Sequence, residues 1–514
     1  MSSLEVHSLA AFEDDNGNVA IESNEGTSSN TSDNLYSSGE GIGITYNTSQ
    51  YGDFSSETTF DSDGDDEQVL ENKGNWAELP SLAVENIYSF LSRTDQSRMS
   101  QVCSRWSKDI GSPYLWKTMK FYLPEHYHSS EIYPEVKFAC QHASMFRHVE
   151  IICKRVRTHL KSVIWKQLKL FLKAITDSSQ LSSLKFINIG FYFHNLNSII
   201  RKDLFKTIIT FFISQKNLKT VVFQGSRFSK EEGLKLLRAI LHSESNTIRH
   251  LTLRGFINEN SSTVGNKYKS DLLEVCGRIA NIESLEVDYA QTFEDVINCL
   301  YEKFCYSDYQ FNKNKPSMSS LIIHCEDTRQ SISRGILPRT WKYLKKVCPD
   351  LKVKMDVTIH NNLNREMGKF LVSKIPLQTL DFRFEKLLSS NADIRNLFTY
   401  FENCKYQDHL KILNVLWMPF VSEFESSLIP FVQTCKKLQT LHLHAQSTPI
   451  GIENILKAFL ENSPASMKSI TIWICQLQEE EDEDSFRALS EEYYPLFTAQ
   501  GIDCFLIVDP RQRR

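Results

Sequence analysis

A chain of 514 residues, 41% hydrophobic and 24% charged, is long enough to bury a sizeable core and has the make-up of an ordinary soluble protein. Its apolar runs, such as Ile208 to Ile213, are far shorter than the about 18 to 20 residues of a membrane span, which argues against a membrane protein. The net charge of −5, with only short basic clusters at Lys154 to Arg157 and Arg511 to Arg514, argues against nucleic-acid binding.

Twelve cysteines without a CxxC pair, and no signal-peptide pattern, read as reduced, mostly buried thiols of a cytoplasmic or nuclear protein. Residues 1–72 hold sixteen Asp or Glu and no Lys or Arg, so the remainder carries +11. This leading segment is rich in Ser, Thr, Asn and Gly and too poor in apolar residues to offset the entropy of ordering, so a disordered acidic tail is expected. Ser62, set among acidic residues, is a candidate phosphorylation site within it.

From Asn75 to Met119 the character changes. Pro80 stands at or just before a helix start, where a missing N–H costs nothing. Val84, Ile87, Tyr88 and Leu91 follow at the spacing of one helix face. Asp95 is expected to cap a second helix carrying Met99, Val102, Cys103, Trp106 and Ile110 on one face, stopped by Gly111 and Pro113. So small a piece reads as a docking module.

Leu79-Pro80, Gln101-Val102-Cys103, Arg105-Trp106 and Leu115-Trp116, without a gap, resemble the F-box; Gln96-Ser97 departs from it where the family usually has leucine. The resemblance implies docking on the Skp1 adaptor and, through it, on the cullin and RING subunit of a ubiquitin ligase. The residues carried over for Skp1 binding are Leu79, Pro80, Ile87, Leu91, Val102, Cys103, Trp106, Leu115 and Trp116. The F-box is assigned to 73–120.

Beyond it, an apolar residue, two variable ones and then two apolar residues flanking a variable one recur. Leu181-Ser-Ser-Leu-Lys-Phe186, Ile248-Arg-His-Leu-Thr-Leu253 and Leu438-Gln-Thr-Leu-His-Leu443 are examples of a series from Phe146 to Ile507, with a less regular strand at Leu351 to Val357. The mean repeat is about 32 residues, against about 20 to 29 for the usual leucine-rich repeat. The surplus is helix, as in Val163 to Ile175, Asp203 to Gln215, Lys230 to His242, Phe293 to Phe304, Ile394 to Cys404 and Ile452 to Leu460. Twelve strands alternating with helices, with no Gly-rich phosphate loop, favour stacked repeats over a doubly wound α/β domain. The acidic run Glu479 to Asp484 is expected to be an exposed loop.

The fold expected for 121–514 is therefore an α/β leucine-rich-repeat solenoid, right-handed, with a parallel concave sheet and convex helices. The pattern resembles the repeats of F-box proteins, within them the F-box-only subgroup with cryptic repeats. Strand parity turns Leu184, Val221, Leu251, Leu285, Leu321, Leu380, Leu413, Leu441 and Ile470 inward. Their neighbours face the concave side, where Arg254, Glu286, Asp288, His324, Arg383, His442, His444 and Trp473 are the candidate substrate-binding residues, with Trp473, Arg383 and Arg254 as hot spots.

Walker, Rossmann, zinc-protease and GxSxG patterns are absent, and no zinc-ligand cysteine series supports a RING of its own. No metal or cofactor is expected; His442 and His444 share a strand face but lack an evident third ligand. The function implied is that of a non-catalytic substrate receptor of a Skp1-cullin-F-box ligase, holding an unknown protein target for ubiquitination. The alternative is a Skp1-bound scaffold that promotes no degradation.

Overall fold

The computed structural model describes residues 76–123, 132–155, 161–193, 196–241, 247–258, 266–306, 317–327, 335–385, 391–421, 424–474 and 481–508. The acidic segment 1–72 with Ser62, and Arg511 to Arg514, lie outside them.

The described chain opens with four short helices: α1 (Ser81–Phe90), α2 (Arg93–Met99), α3 (Ser104–Asp109) and α4 (Pro113–Trp116). Pro80 occupies the N-cap of α1. The single second helix expected from Asp95 to Ile110 is instead broken into α2 and α3. Ser92, not Asp95, caps α2, its hydroxyl accepting the Asp95 N–H at 3.2 Å. Cys103 then leaves the helical conformation and its sulfur accepts the Trp106 N–H at 3.5 Å, starting α3. The break turns Val102 out of the apolar face that Met99 and Trp106 keep. Ser112 and Pro113 start α4, as an N-cap and first residue do.

A single parallel sheet follows, its strands in strict sequence order. They are β1 (Thr118–Leu123), β2 (His148–Cys153), β3 (Ser183–Ile187), β4 (Thr220–Gln224), β5 (His250–Arg254), β6 (Ser284–Asp288) and β7 (Ser320–Glu326). The series continues with β8 (Lys352–Ile359), β9 (Leu377–Phe384), β10 (Ile412–Trp417), β11 (Thr440–Ala445), β12 (Ser469–Ile474) and β13 (Asp503–Val508). The thirteenth strand, unforeseen, is β1. Trp116-Lys-Thr-Met-Lys-Phe121 has the repeat spacing, but the F-box match absorbs it, and the expected boundary at 120/121 falls inside the strand.

Helices span each of the six stretches expected, for example Lys161–Ser178 over Val163 to Ile175 and Gln291–Tyr306 over Phe293 to Phe304. The acidic run is corrected: Glu481 to Asp484 begin a helix, Glu481–Ala499. Carboxylates are favourable in a first helical turn, where the helix dipole is positive, so a charge run there solvates itself without becoming a loop.

The anchors from Leu184 to Ile470 are all buried, and β2, β10 and β11 alternate half-buried and buried residues along their length. A doubly wound sheet buries both faces and would show no such alternation. One face is packed under helices and the other is open. Register runs unbroken from Leu184 through Val221, Leu251, Leu285 and Leu321 to Val353. Between β8 and β9 an irregularity after Val353 moves the pairing, so that Met355, not Val353, stands opposite Leu380. A two-residue step preserves side-chain parity, so the open face continues across it.

Candidate docking surface and open sheet face

Packing decides which of the F-box residues look inward. Val84, Tyr88, Met99 and Leu115 form a small core, with Leu79, Ile87, Leu91, Trp106, Ile110 and Trp116 packed partly buried against it. The Tyr88 hydroxyl donates to the Trp106 carbonyl at 2.9 Å, and burial, with Asp109 nearby, raises its pKa to about 12. Trp116 donates to the Ile110 carbonyl at 2.5 Å and lies against Phe138, ring centres 4.7 Å apart, tying the helices to the first repeat. Gln96, the departure from the family pattern, is buried and donates to the carbonyls of Tyr88 at 2.7 Å and Leu91 at 3.3 Å. It closes the end of α1, a task a leucine cannot perform.

Of the nine residues named for docking, Pro80 and Val102 are exposed, Leu115 is buried, and the other six are half-buried. Strongly exposed apolar side chains that periodicity did not single out stand beside them in the fold: Phe90, 82% exposed, and Leu82, 78%, with Val102 at 65%. Trp76 and Tyr114 are exposed too. An exposed phenylalanine and leucine on a ten-residue helix is the signal that was available, since the one-face pattern leaves both off the core stripe.

The eight open-face candidates fall into two groups. Six strands carry a chain of alternating charge. Arg254 Nε meets Asp288 Oδ1 at 3.0 Å and lies 3.8 Å from Glu286; Glu286 accepts from Thr252 at 3.2 Å and meets His324 Nε2 at 2.9 Å. The other ring nitrogen of His324 is 3.2 Å from Asp356, which lies 3.7 Å from Arg383. The β7–β8 register places Asp356 directly beside His324. Beside this chain, Lys354 pairs with Asp381 at 2.7 Å, and Asn414 also donates to Asp381. Asp356 and Lys354 belong to the irregular strand, which explains why the repeat pattern did not bring them forward. The second group is the stack of His444 on Trp473, ring centres 5.3 Å apart and 4° from parallel, with His442 on the same strand.

Burial works against the charged form of His324, yet its hydrogen bonds to Asp356 and Glu286 prevail and raise its pKa. Its partners move oppositely: the His324 bond lowers Glu286, and lowers Asp356 against burial. His442 and His444 are lowered, chiefly by burial. A histidine with a raised folded pKa contributes stability that is complete below its unfolded value, near 6.5, and lost as pH rises through the folded one. The two carboxylates contribute above their unfolded values and lose it in acid. His324→Gln is therefore expected to cost about 2 kcal/mol just below pH 6.5, a loss that shrinks in alkali. Thermal melts of both proteins from about pH 6 to 9 measure it; a gap that widens with pH would refute the assignment of a shared proton.

No three His, Cys, Asp or Glu converge as a metal site among the described residues. The described cysteines are all free, and burial pushes the Cys435 and Cys504 thiols up to about 12, far from a reactive thiolate. None of the described helices is long and apolar enough to cross a membrane. The arrangement binds rather than reacts.

Comparison with known proteins agrees on the class. Residues 76–122 match the F-box-like family model, so the chain carries an F-box-like domain ahead of a parallel α/β repeat solenoid. Among solved structures it is similar to the leucine-rich repeat-containing protein LegL7 from Legionella pneumophila. The identity is 14%, over 73% of this chain and 98% of that one, with a TM-score of 0.33. An F-box-like domain joined to leucine-rich-type repeats is the architecture of an adaptor-type protein-interaction module, and F-box domains generally bind Skp1.

Proposed function

We propose that this protein is the substrate receptor of a Skp1-cullin-F-box ubiquitin ligase. The F-box-like helices dock on Skp1, and through it on the cullin and RING subunit, while the open sheet face holds a target protein. The observation that carries the reading is the pairing of an F-box-like domain, with its outward Leu82, Phe90 and Val102, to a solenoid whose sheet leaves one face open. Catalysis is then proximity alone: a target lysine held near a charged ubiquitin carrier reacts in a local encounter instead of a bimolecular one. Free, buried thiols support a cytoplasmic or nuclear setting.

The Arg254 to Arg383 chain is already neutralised within the protein, so it offers a target a rigid pattern of paired charges. The His444–Trp473 stack offers it an aromatic anchor. Reconstitution tests the reading. The purified chain with Skp1, cullin, RING subunit and ubiquitin-charged carrier is expected to ubiquitinate proteins that the solenoid captures, and to stop when Leu79 and Pro80 are both replaced by alanine. Captured binders that are never modified would establish a Skp1-bound scaffold instead.

A further inference from the structure

At the edge where strands β8 to β11 begin, away from the open face residues, lies a cavity of about 540 Å³ with a one-sided charge. Lys342, Lys345, Lys374, Lys405, Lys411 and Lys437 line it, against a single carboxylate, Asp408. Four successive repeats contribute: Lys342 and Lys345 from the helix Pro338–Val347, Lys374 from the turn before β9, Lys405 and Lys411 from the approach to β10, and Lys437 from that to β11. Apolar Leu351, Ile375 and Pro376 also line it, and all three are buried.

Lys345 is tied back to backbone carbonyls, with 3.3 Å to Leu351. The other five lysines pair with no carboxylate among the described residues, in a protein whose other basic side chains commonly do. A second observation is conformational. Among the described residues four that are not glycine have positive φ, and two of them, Lys374 at 75° and Lys405 at 61°, line this one cavity. Left-handed backbone at a side chain with a Cβ costs about 1 kcal/mol, a strain found concentrated at ligand sites.

We propose that this cavity binds a multiply phosphorylated segment of the protein the solenoid recruits. Three strand spacings of about 4.8 Å spread the lysines over about 14 Å, the length of some four extended residues. That reach suits a chain bearing several anions better than one phosphate. The cavity contains no arginine, so it reads charge density and not the bidentate geometry of a single group. Its apolar lining gives the intervening side chains of a peptide a place to rest, which a purely ionic ligand does not need. The inference rests on the receptor reading above, since it names the chemistry of the target.

The test uses the full chain bound to Skp1. The probe is a fluorescent pool of twelve-residue peptides with three phosphoserines at alternate positions and mixed residues between, beside its unphosphorylated twin and a single-stranded oligodeoxynucleotide of equal charge. Anisotropy is expected to show the phosphorylated pool binding at least tenfold more tightly than either. Lys342→Gln with Lys411→Gln and Lys437→Gln should weaken it at least tenfold, and the three arginine replacements should keep most of the affinity. Equal binding of the unphosphorylated pool, equal binding of the oligonucleotide, or an unchanged glutamine variant would overturn the proposal. Should the glutamine variant melt early, salt decides on the wild type: affinity that does not fall between about 50 and 300 mM refutes a charge-read site. Skp1 capture is followed on the same variants. A cavity that fails while capture and ubiquitination persist leaves the receptor reading intact, and phosphopeptide binding without ubiquitination does the reverse.

Discussion

Replacing Leu82, Phe90 and Val102 together by aspartate is expected to weaken Skp1 capture more than about 100-fold while leaving the melting temperature of the protein nearly unchanged. All three side chains lie in the F-box-like domain and are largely exposed, so the folded chain loses little by their replacement. An interface that buries them loses apolar contact at each and must desolvate three carboxylates. The contrast is with Ile87, Leu91 and Trp106, which pack against Val84, Tyr88 and Met99. Aspartate there would unfold the helices and abolish capture indirectly. Co-purification with Skp1 and calorimetry of the same samples separate the two. Undiminished capture by the triple variant would remove these residues from the docking surface and return it to Pro80 and the half-buried set.

The second large effect concerns the solenoid. Phe223→Ala is expected to cost about 3 to 5 kcal/mol, and to spend it locally. Phe223 is fully buried at the centre of a ring cluster, stacked on Phe186 at 5.2 Å and within 6 Å of Phe212, Phe228 and Phe256. Those partners come from the repeats on either side, so one truncation loosens the join between β3, β4 and β5. Stacked repeats couple to their nearest neighbours, and opening should stay close to the wound. Hydrogen exchange is expected to rise in β3 to β5 and to remain slow in β10 to β12. Uniform acceleration along the whole sheet would show instead that the solenoid unfolds as one cooperative unit.

Much of this architecture was legible from residues alone because repeats write the same physical requirement many times. Leu184, Val221, Leu251 and their successors must each bury one strand face, and a period of two with helical periods between them leaves few alternatives. The open face was legible for the same reason, down to Arg254, Glu286, His324 and Trp473. Local exceptions were not. The helix break at Ser100 to Cys103 depends on a sulfur accepting one N–H, a competition among caps that apolar spacing does not record. Gln96 looked like a lapse from the family pattern, and its role as the closure of α1 exists only once α2 has folded back over Tyr88.

Composition and periodicity by themselves determined the order of parts, the kind of repeat and the buried parity of every strand, because each rests on contacts made within one or two repeats. Tertiary structure alone decided which partners meet. His324 shares its proton with Glu286 and Asp356 because an irregular strand enters the sheet in register beside it. Lysines as far apart in sequence as Lys342 and Lys437 surround one cavity because parallel stacking brings the starts of successive strands to the same edge. Neither contact has a local signature, since its free energy depends on where distant segments are held and not on the residues that precede them.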